Sequence, residues 1–383
     1  MPATSHSRHH LLAFSIQRLS CSYLPELHTR LLSGKYLSKY SLHIRFSSRK
    51  YLSQYSHYIY FVAPRSNLQP GHVSPSSACL ERAPPTVISD RYDLVADLPQ
   101  GYQLQSYSTL KELKNAVKAI HNQLEKNNGQ GNQWLLINGI SRTTIERLSN
   151  DHSCLSGIEF RFMWIGTTGL LKVVPSIEHD LTTSDVDHYI DRQCVRMGVP
   201  DNELVWGYTV TTPGTITTHG KEPDDCFYPP NRQPLAGQFN GWPSLVIETG
   251  VSESLAKLRR DATWWLQNSS GDTRIVLVIS IKKAMREIRF EKWQLVPPNF
   301  PRPVTRQAVD QLRQQPNQMP PLVQQQANSQ IAFCIQEVII TPTSITGEPL
   351  VIPFRAMFDR QPTGTEGDIV INHQGFRTIA RFV

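Results

Sequence analysis

No two cysteines of this chain stand as C-x-x-C. Cys21, Cys79, Cys154, Cys194, Cys226 and Cys334 are scattered, a spacing that gives neither a zinc site nor a disulfide framework and fits reduced thiols in the cytosol or nucleus. Long apolar runs are missing too: "IVLVISI" at Ile275 has seven residues, against the ~20 a helix needs to cross a bilayer. Acids are almost absent from residues 1–80, which hold nine Lys/Arg and only Glu26 against them, whereas the remainder holds 30 basic and 31 acidic residues. The net charge of +7 therefore belongs to the first segment, and it does not mark the rest of the chain as a binder of polyanions.

What that first segment does contain is Ser, Tyr, Arg and His, with a local repeat in which "KYLSKYSLHI" at Lys35 returns as "KYLSQYSHYI" at Lys50. Such a composition cannot bury enough apolar surface to fold alone, so residues 1–91 are expected to be a poorly ordered basic leader. Its Arg/Ser-rich, acid-poor character resembles a mitochondrial transit peptide, and "IRFSS" at Ile44 resembles a presequence cleavage site, which adds the mitochondrion to the compartments above.

Residues 92–383 read as an α/β domain with a mixed central sheet flanked by helices and extra strands near the C-terminus. Leu110, Leu113, Val117, Ile120 and Leu124 recur at helical spacing within Thr109–Lys126, predicting an amphipathic helix. "GIEFRFMWIGTTGLLKVVPSIEHD" reads as a hairpin about "GTTG", with Pro175 ending it and Ser176 capping a helix to about Met197. "SESLAKLRRDATWWLQNSSG" predicts another helix, with Trp265 on its core face beside Leu258 and Ala262; Trp264 and Trp265 are thus expected as core aromatics, not base-stacking platforms. "RIVLVISI" is apolar on both faces, as a central strand requires, and "REIRFEKWQLV" pairs with it. Residues 297–330, with 7 Pro and 9 Gln in 34 positions, are expected to be a disordered insertion.

The chemistry turns on "PSLVIETGVSES", Pro243–Ser254. Read through Ser252, it approximates the G-x-S-x-G elbow of a serine hydrolase, with His373 as the one histidine placed late enough in the chain for a triad. Ser254 stands where that turn needs its last Gly, and Ser252 has a simpler role as a helix cap. Read through Glu248, the run sets a carboxylate in a buried strand, which is costly unless a cation or base compensates it. Upstream, "KEPDDCFYPP" supplies Asp224 and Asp225, which strand alternation sends to opposite faces, so that one of them can share a face with Glu248. Two such carboxylates form a hard-oxygen site suited to Mg²⁺ or Mn²⁺. An ion pair from Glu248 to Lys257, Arg259 or Arg260 is the purely structural alternative.

"EPDDCF" followed by "PSLVIETGVSES" resembles the paired acidic motifs of the PD-(D/E)XK restriction-endonuclease-like superfamily. "FRFMWIGTTGLLKVVPSIEHD" resembles the start of its Uma-type branch, and fungal proteins with a similar core share the "WWL" helix and the terminal "PLVIPF" strand. The resemblance spans roughly Gly157–Lys292. It implies Mg²⁺-dependent phosphodiester hydrolysis acting on nucleic acid. Asp224 and Glu248, with Asp225 as the adjacent alternate, would hold the metal; Lys257, with Arg260 one turn on, would supply the catalytic cation; His179 would orient water or phosphate. Where that superfamily carries a Lys two residues past the second acid, this chain has Gly250. This departure and the balanced charge of the globular part both favour the alternative, a catalytically degenerate relative that binds nucleic acid or protein without cutting.

Overall fold

The structure, a computed structural model, describes residues 93–174, 177–213, 218–232, 241–251, 255–326 and 329–382. The expected leader, the cap at Ser176 and the elbow at Ser252 lie outside the described residues.

The expected α/β class is present, with its strands divided over two large mixed sheets. In the first half, β1 (Gln103–Ser106) precedes α1 (Leu110–Lys126), β2 (Trp134–Asn138), α2 (Arg142–Asn150), β3 (Phe160–Ile165) and β4 (Thr168–Val173). Helix α1 begins where Thr109 accepts from the Glu112 amide at 3.2 Å, and it buries Leu113, Val117, Ile120 and Leu124, the stripe its periodicity predicts. Strands β3 and β4 form the hairpin about Gly166, whose φ of 57° suits a residue without a Cβ.

The chain then runs through α3 (Ile177–Met197), β5 (Val205–Trp206), β6 (Thr212–Pro213), β7 (His219–Lys221), β8 (Asp225–Tyr228), β9 (Leu245–Val251), α4 (Leu255–Asn268), β10 (Ile275–Lys282) and β11 (Glu287–Leu295). After α5 (Arg306–Arg313) come β12 (Ala332–Ile340), β13 (Ile345–Thr346), β14 (Leu350–Ile352), α6 (Phe354–Phe358), β15 (Ile369–Ile371) and α7 (His373–Ile379). The first sheet runs β1-β2-β4-β3-β7-β6 and the second β13-β12-β11-β10-β9-β8-β5, while β14 and β15 form a separate ribbon. Within the second sheet β9 and β10 are parallel, joined by the α4 crossover, and β8 is antiparallel to β9.

One face of the second sheet packs Leu245, Ile247, Ile275, Leu277 and Ile279 against Val186, Ile190 and Cys194 of α3 and against α6 and α7. The other packs Val246, Val276 and Val278 against α4 and against Trp134, Leu136, Met163 and Leu170 of the first sheet. The central strands are covered on both sides, which is why they read as unbroken apolar runs.

Within the Pro/Gln-rich stretch, residues 297–326 are described and differ from the expected disorder. Thr305 caps α5, and Val309 and Leu312 pack with Phe300 against Phe333 and Ile335 of β12. Val309 and Leu312 at helical spacing, with Phe300 ahead of the helix, give this polar segment enough to hold on to.

Candidate functional site

Glu248 sits mid-way along β9, a strand with all seven residues buried. It faces α4 and the first sheet. The register that pairs Asp225 with Ile247 brings Asp224, one step outside β8, opposite Glu248. The structure therefore sets these two sequence candidates on neighbouring segments, and it surrounds each with the protein's own cations.

Asp224 is buried beneath the hairpin. Its Oδ1 lies 3.0 Å from Arg161 Nε and 3.1 Å from His179 Nε2. Its Oδ2 accepts from the Thr249 amide at 2.8 Å and lies 3.7 Å from Lys172 Nζ. Burial by itself would raise this carboxyl, but Lys172, His179 and Arg161 together hold it well below the usual carboxylate range. His179, also buried, completes a bridge through Nδ1 to Asp180 Oδ1 at 3.1 Å. Burial opposes its positive form, yet Asp224 and Asp180 raise its pKa above the ordinary value. Here His179 is an ion-pair partner of the acid.

Arg161 and Lys172 stand directly opposite each other on β3 and β4. Two like charges across a hairpin repel unless an anion lies within reach, and Asp224 is that anion. This pair is a signal that could have been found in the text, as two cations interrupting the otherwise apolar runs of "FRFMWIGTTGLLKVV".

Glu248 is held by a second group. Its Oε1 accepts from the Trp265 indole N–H at 2.5 Å and lies 3.1 Å from Lys221 Nζ, which is itself 3.2 Å from Asp261 Oδ1. Lys257 Nζ is 2.5 Å from the same Asp261 oxygen. Burial raises the Glu248 carboxyl to about 7; Lys221 opposes the rise, while Asp261 and Asp224 add to it. For Lys221 burial works against the charge, but Asp261 and Glu248 more than offset it and its pKa is raised. Lys257 and Lys172 both lie over the Trp134 ring, at 5.1 and 5.8 Å from its centroid. Glu222, the neighbour of Lys221, accepts from the Phe162 amide and the Thr211 hydroxyl, each at 2.8 Å, and burial pushes it up to about 8.

The remaining candidates are elsewhere. Asp225, expected as an alternate metal ligand, points to the α3 face, where it accepts from the Tyr208 amide at 3.1 Å and the Cys226 amide at 2.7 Å and lies beside Asp187. A strand cannot turn two consecutive side chains the same way. Arg260 turns outward to Asp97, 2.8 Å away and partly exposed. His373 is exposed and pairs with Glu348 at 2.7 Å. Trp264 and Trp265 are both buried in the core, and Trp265 also gives Glu248 its hydrogen bond.

The residues present do not fit a divalent ion. Asp224 Oδ2 and Glu248 Oε1 accept hydrogen bonds from protein donors, and Asp224 Oδ1, which accepts none among the described residues, lies at ion-pair distance from both Arg161 and His179. The cavity between the sheets, about 20 Å³, is lined by Arg161, Lys172, Lys221 and Lys257 beside Glu222, Glu248 and Asp261, with room for about one water. Among the described residues no three His, Cys, Asp or Glu side chains converge to hold a metal. What the arrangement does offer is charge balance: four cations and three acids around one cavity, with Asp224 and the His179–Asp180 pair beside it.

No family model matches the sequence, and no curated protein matches it. Among solved structures, the chain is similar to a "putative nuclease belonging to DUF820 from Anabaena variabilis ATCC 29413", with 17% identity over 39% of this chain and 84% of that chain and a TM-score of 0.28. A likeness that partial carries no site residue across. Among the described residues, no helix is long and apolar enough to cross a membrane.

Proposed function

We propose that this chain is a nuclease-like α/β module whose acid pair has become a buried ion network, and that it binds nucleic acid or a protein partner without hydrolysing phosphodiester bonds. One observation carries the reading: Lys221, Arg161, Lys172 and His179 stand against Asp224 and Glu248 at 3.0–3.7 Å, where catalysis would need a metal and its waters. The first sheet also covers the acids, so Asp224 and Glu248 are only 5% and 3% exposed. A phosphodiester backbone could not reach them without parting the two sheets. Gly250, in place of the superfamily's Lys, supports the same reading.

The test is incubation of the full chain with supercoiled DNA and single-stranded RNA in Mg²⁺ or Mn²⁺, beside Glu248→Ala. We expect wild type and variant to give the same background, with binding of labelled duplex or of a captured protein partner unaffected by chelator. Wild-type cleavage that disappears in Glu248→Ala would overturn the module and restore the Mg²⁺-dependent hydrolase.

A further inference from the structure

We infer that the Lys221 ammonium is a built-in surrogate for the divalent cation, set in the gap between Glu248 and Asp261 and closing it to metal. This inference rests on the module reading and says why the network is silent. Three features of the geometry support it.

The first is position. The ammonium is 3.1 Å from Glu248 Oε1 and 3.2 Å from Asp261 Oδ1. It bridges an acid from β9 and an acid from α4, as a shared cation would. The second is need. Glu248, Asp261 and Lys221 are 3%, 2% and 6% exposed, and two buried carboxylates around one gap require a positive charge between them. The third is supply. Lys221 ends β7, and the next three residues lead through Pro223 to Asp224. The strand that delivers the surrogate is thus chemically continuous with the first acid of the motif, and the charge arrives at the site whenever the chain folds. A metal would have to displace this lysine, which burial and two carboxylates hold in place. Lys257 Nζ meets the same Asp261 oxygen from within α4, at 2.5 Å, whereas Lys221 also reaches Glu248.

The experiment is thermal unfolding of the full chain, with Mn²⁺ or with chelator, for wild type, Lys221→Ala and Lys221→Ala combined with Glu248→Gln. Wild type should ignore Mn²⁺. Lys221→Ala should melt lower in chelator and regain about 2–5 °C when Mn²⁺ exceeds its Kd a hundredfold, and the added Glu248→Gln change should abolish the gain. A folded Lys221→Ala indifferent to Mn²⁺ overturns the surrogate alone and leaves the module reading standing. A Mn²⁺ shift in wild type that Glu248→Gln removes overturns both. Should Lys221→Ala not fold in chelator, its refolding yield decides: recovery dependent on Mn²⁺ supports the inference, and failure to recover in Mn²⁺ refutes it.

Discussion

Asp224 and Asp225 are neighbours in the chain and opposites in chemistry. Asp224 faces Arg161, Lys172 and His179, which keep it ionised far below its ordinary range after overcoming the cost of its burial. Asp225, one residue on, lies beside Asp187 of α3; burial foremost lifts Asp225 to about 7, and burial together with the Asp225 charge lifts Asp187 to about 9. Both acids are buried to the same degree, 5% and 3% exposed. Burial raises both carboxyls; the three cationic groups beside Asp224 reverse that rise, and at Asp225 burial prevails. The strand's alternation turns one dipeptide into a salt-bridged anion on one side of the sheet and a carboxyl raised by burial beside another acid on the other.

The sharpest way to break this comparison is to delete each acid in turn. Asp224→Ala leaves three cationic groups around a vacant position, and removing one partner of a buried charge network costs about 3–5 kcal/mol. Asp225→Ala instead removes a carboxyl that burial has raised and that lies beside another acid, and should cost far less. Urea unfolding midpoints at unchanged slope measure both. Equal losses would mean that the two faces are energetically alike, against the account above.

The same contrast predicts opposite responses to pH. Asp187 and Asp225 have folded-state pKa values above the ordinary 3.8, so their contribution is complete below that value and is lost as pH rises through about 7 and then about 9. Glu222 and Glu248, raised to about 8 and about 7, act in the same direction. Asp224 has the reverse sign: its stabilisation is present above the ordinary carboxylate pKa and is lost as the solution is acidified below it. Between pH 6 and pH 9.5 the stability of wild type should therefore fall. Asp187→Asn should flatten that fall by about 1.4 kcal/mol or more, the worth of one pKa unit, while leaving the acid limb unchanged. An unchanged alkaline slope in Asp187→Asn would show that Asp187 does not carry the raised pKa.

Much of this was legible in the sequence, by way of local periodicity. The α1 stripe, the β3–β4 hairpin and the opposite facing of Asp224 and Asp225 follow from spacings of 3.6 and 2, which any local window displays. The partners of the acids do not follow. Arg161, Lys172 and Lys221 reach Asp224 and Glu248 only because the first sheet closes over α4 and the second, a contact between segments far apart in the chain that no window reports. Lys257 was identified in its local setting, yet its carboxylate partner is Asp261, one turn on in the same helix. The helix inside the Pro/Gln stretch was hidden for another reason: its few apolar residues matter only once β12 is there to receive them.

The smallest effect tests the same principle on a helix. Lys257 and Arg260 are both candidates for the catalytic cation from α4, three positions apart. The helix turns Lys257 inward, 1% exposed against Asp261, and Arg260 outward, with side chains 31% and 40% exposed at its pair with Asp97. An ion pair that water can reach is screened and pays side-chain entropy, so Arg260→Ala should change stability by only ~0–1 kcal/mol. Its measured cost should also shrink in high salt, since the Debye length falls to about 3 Å at 1 M. A loss of several kcal/mol, insensitive to salt, would place Arg260 inside the network with Lys257 and erase the distinction between the helix's two sides. The expected small, salt-dependent value instead keeps the positive charge that matters where Lys257 and Lys221 meet at Asp261.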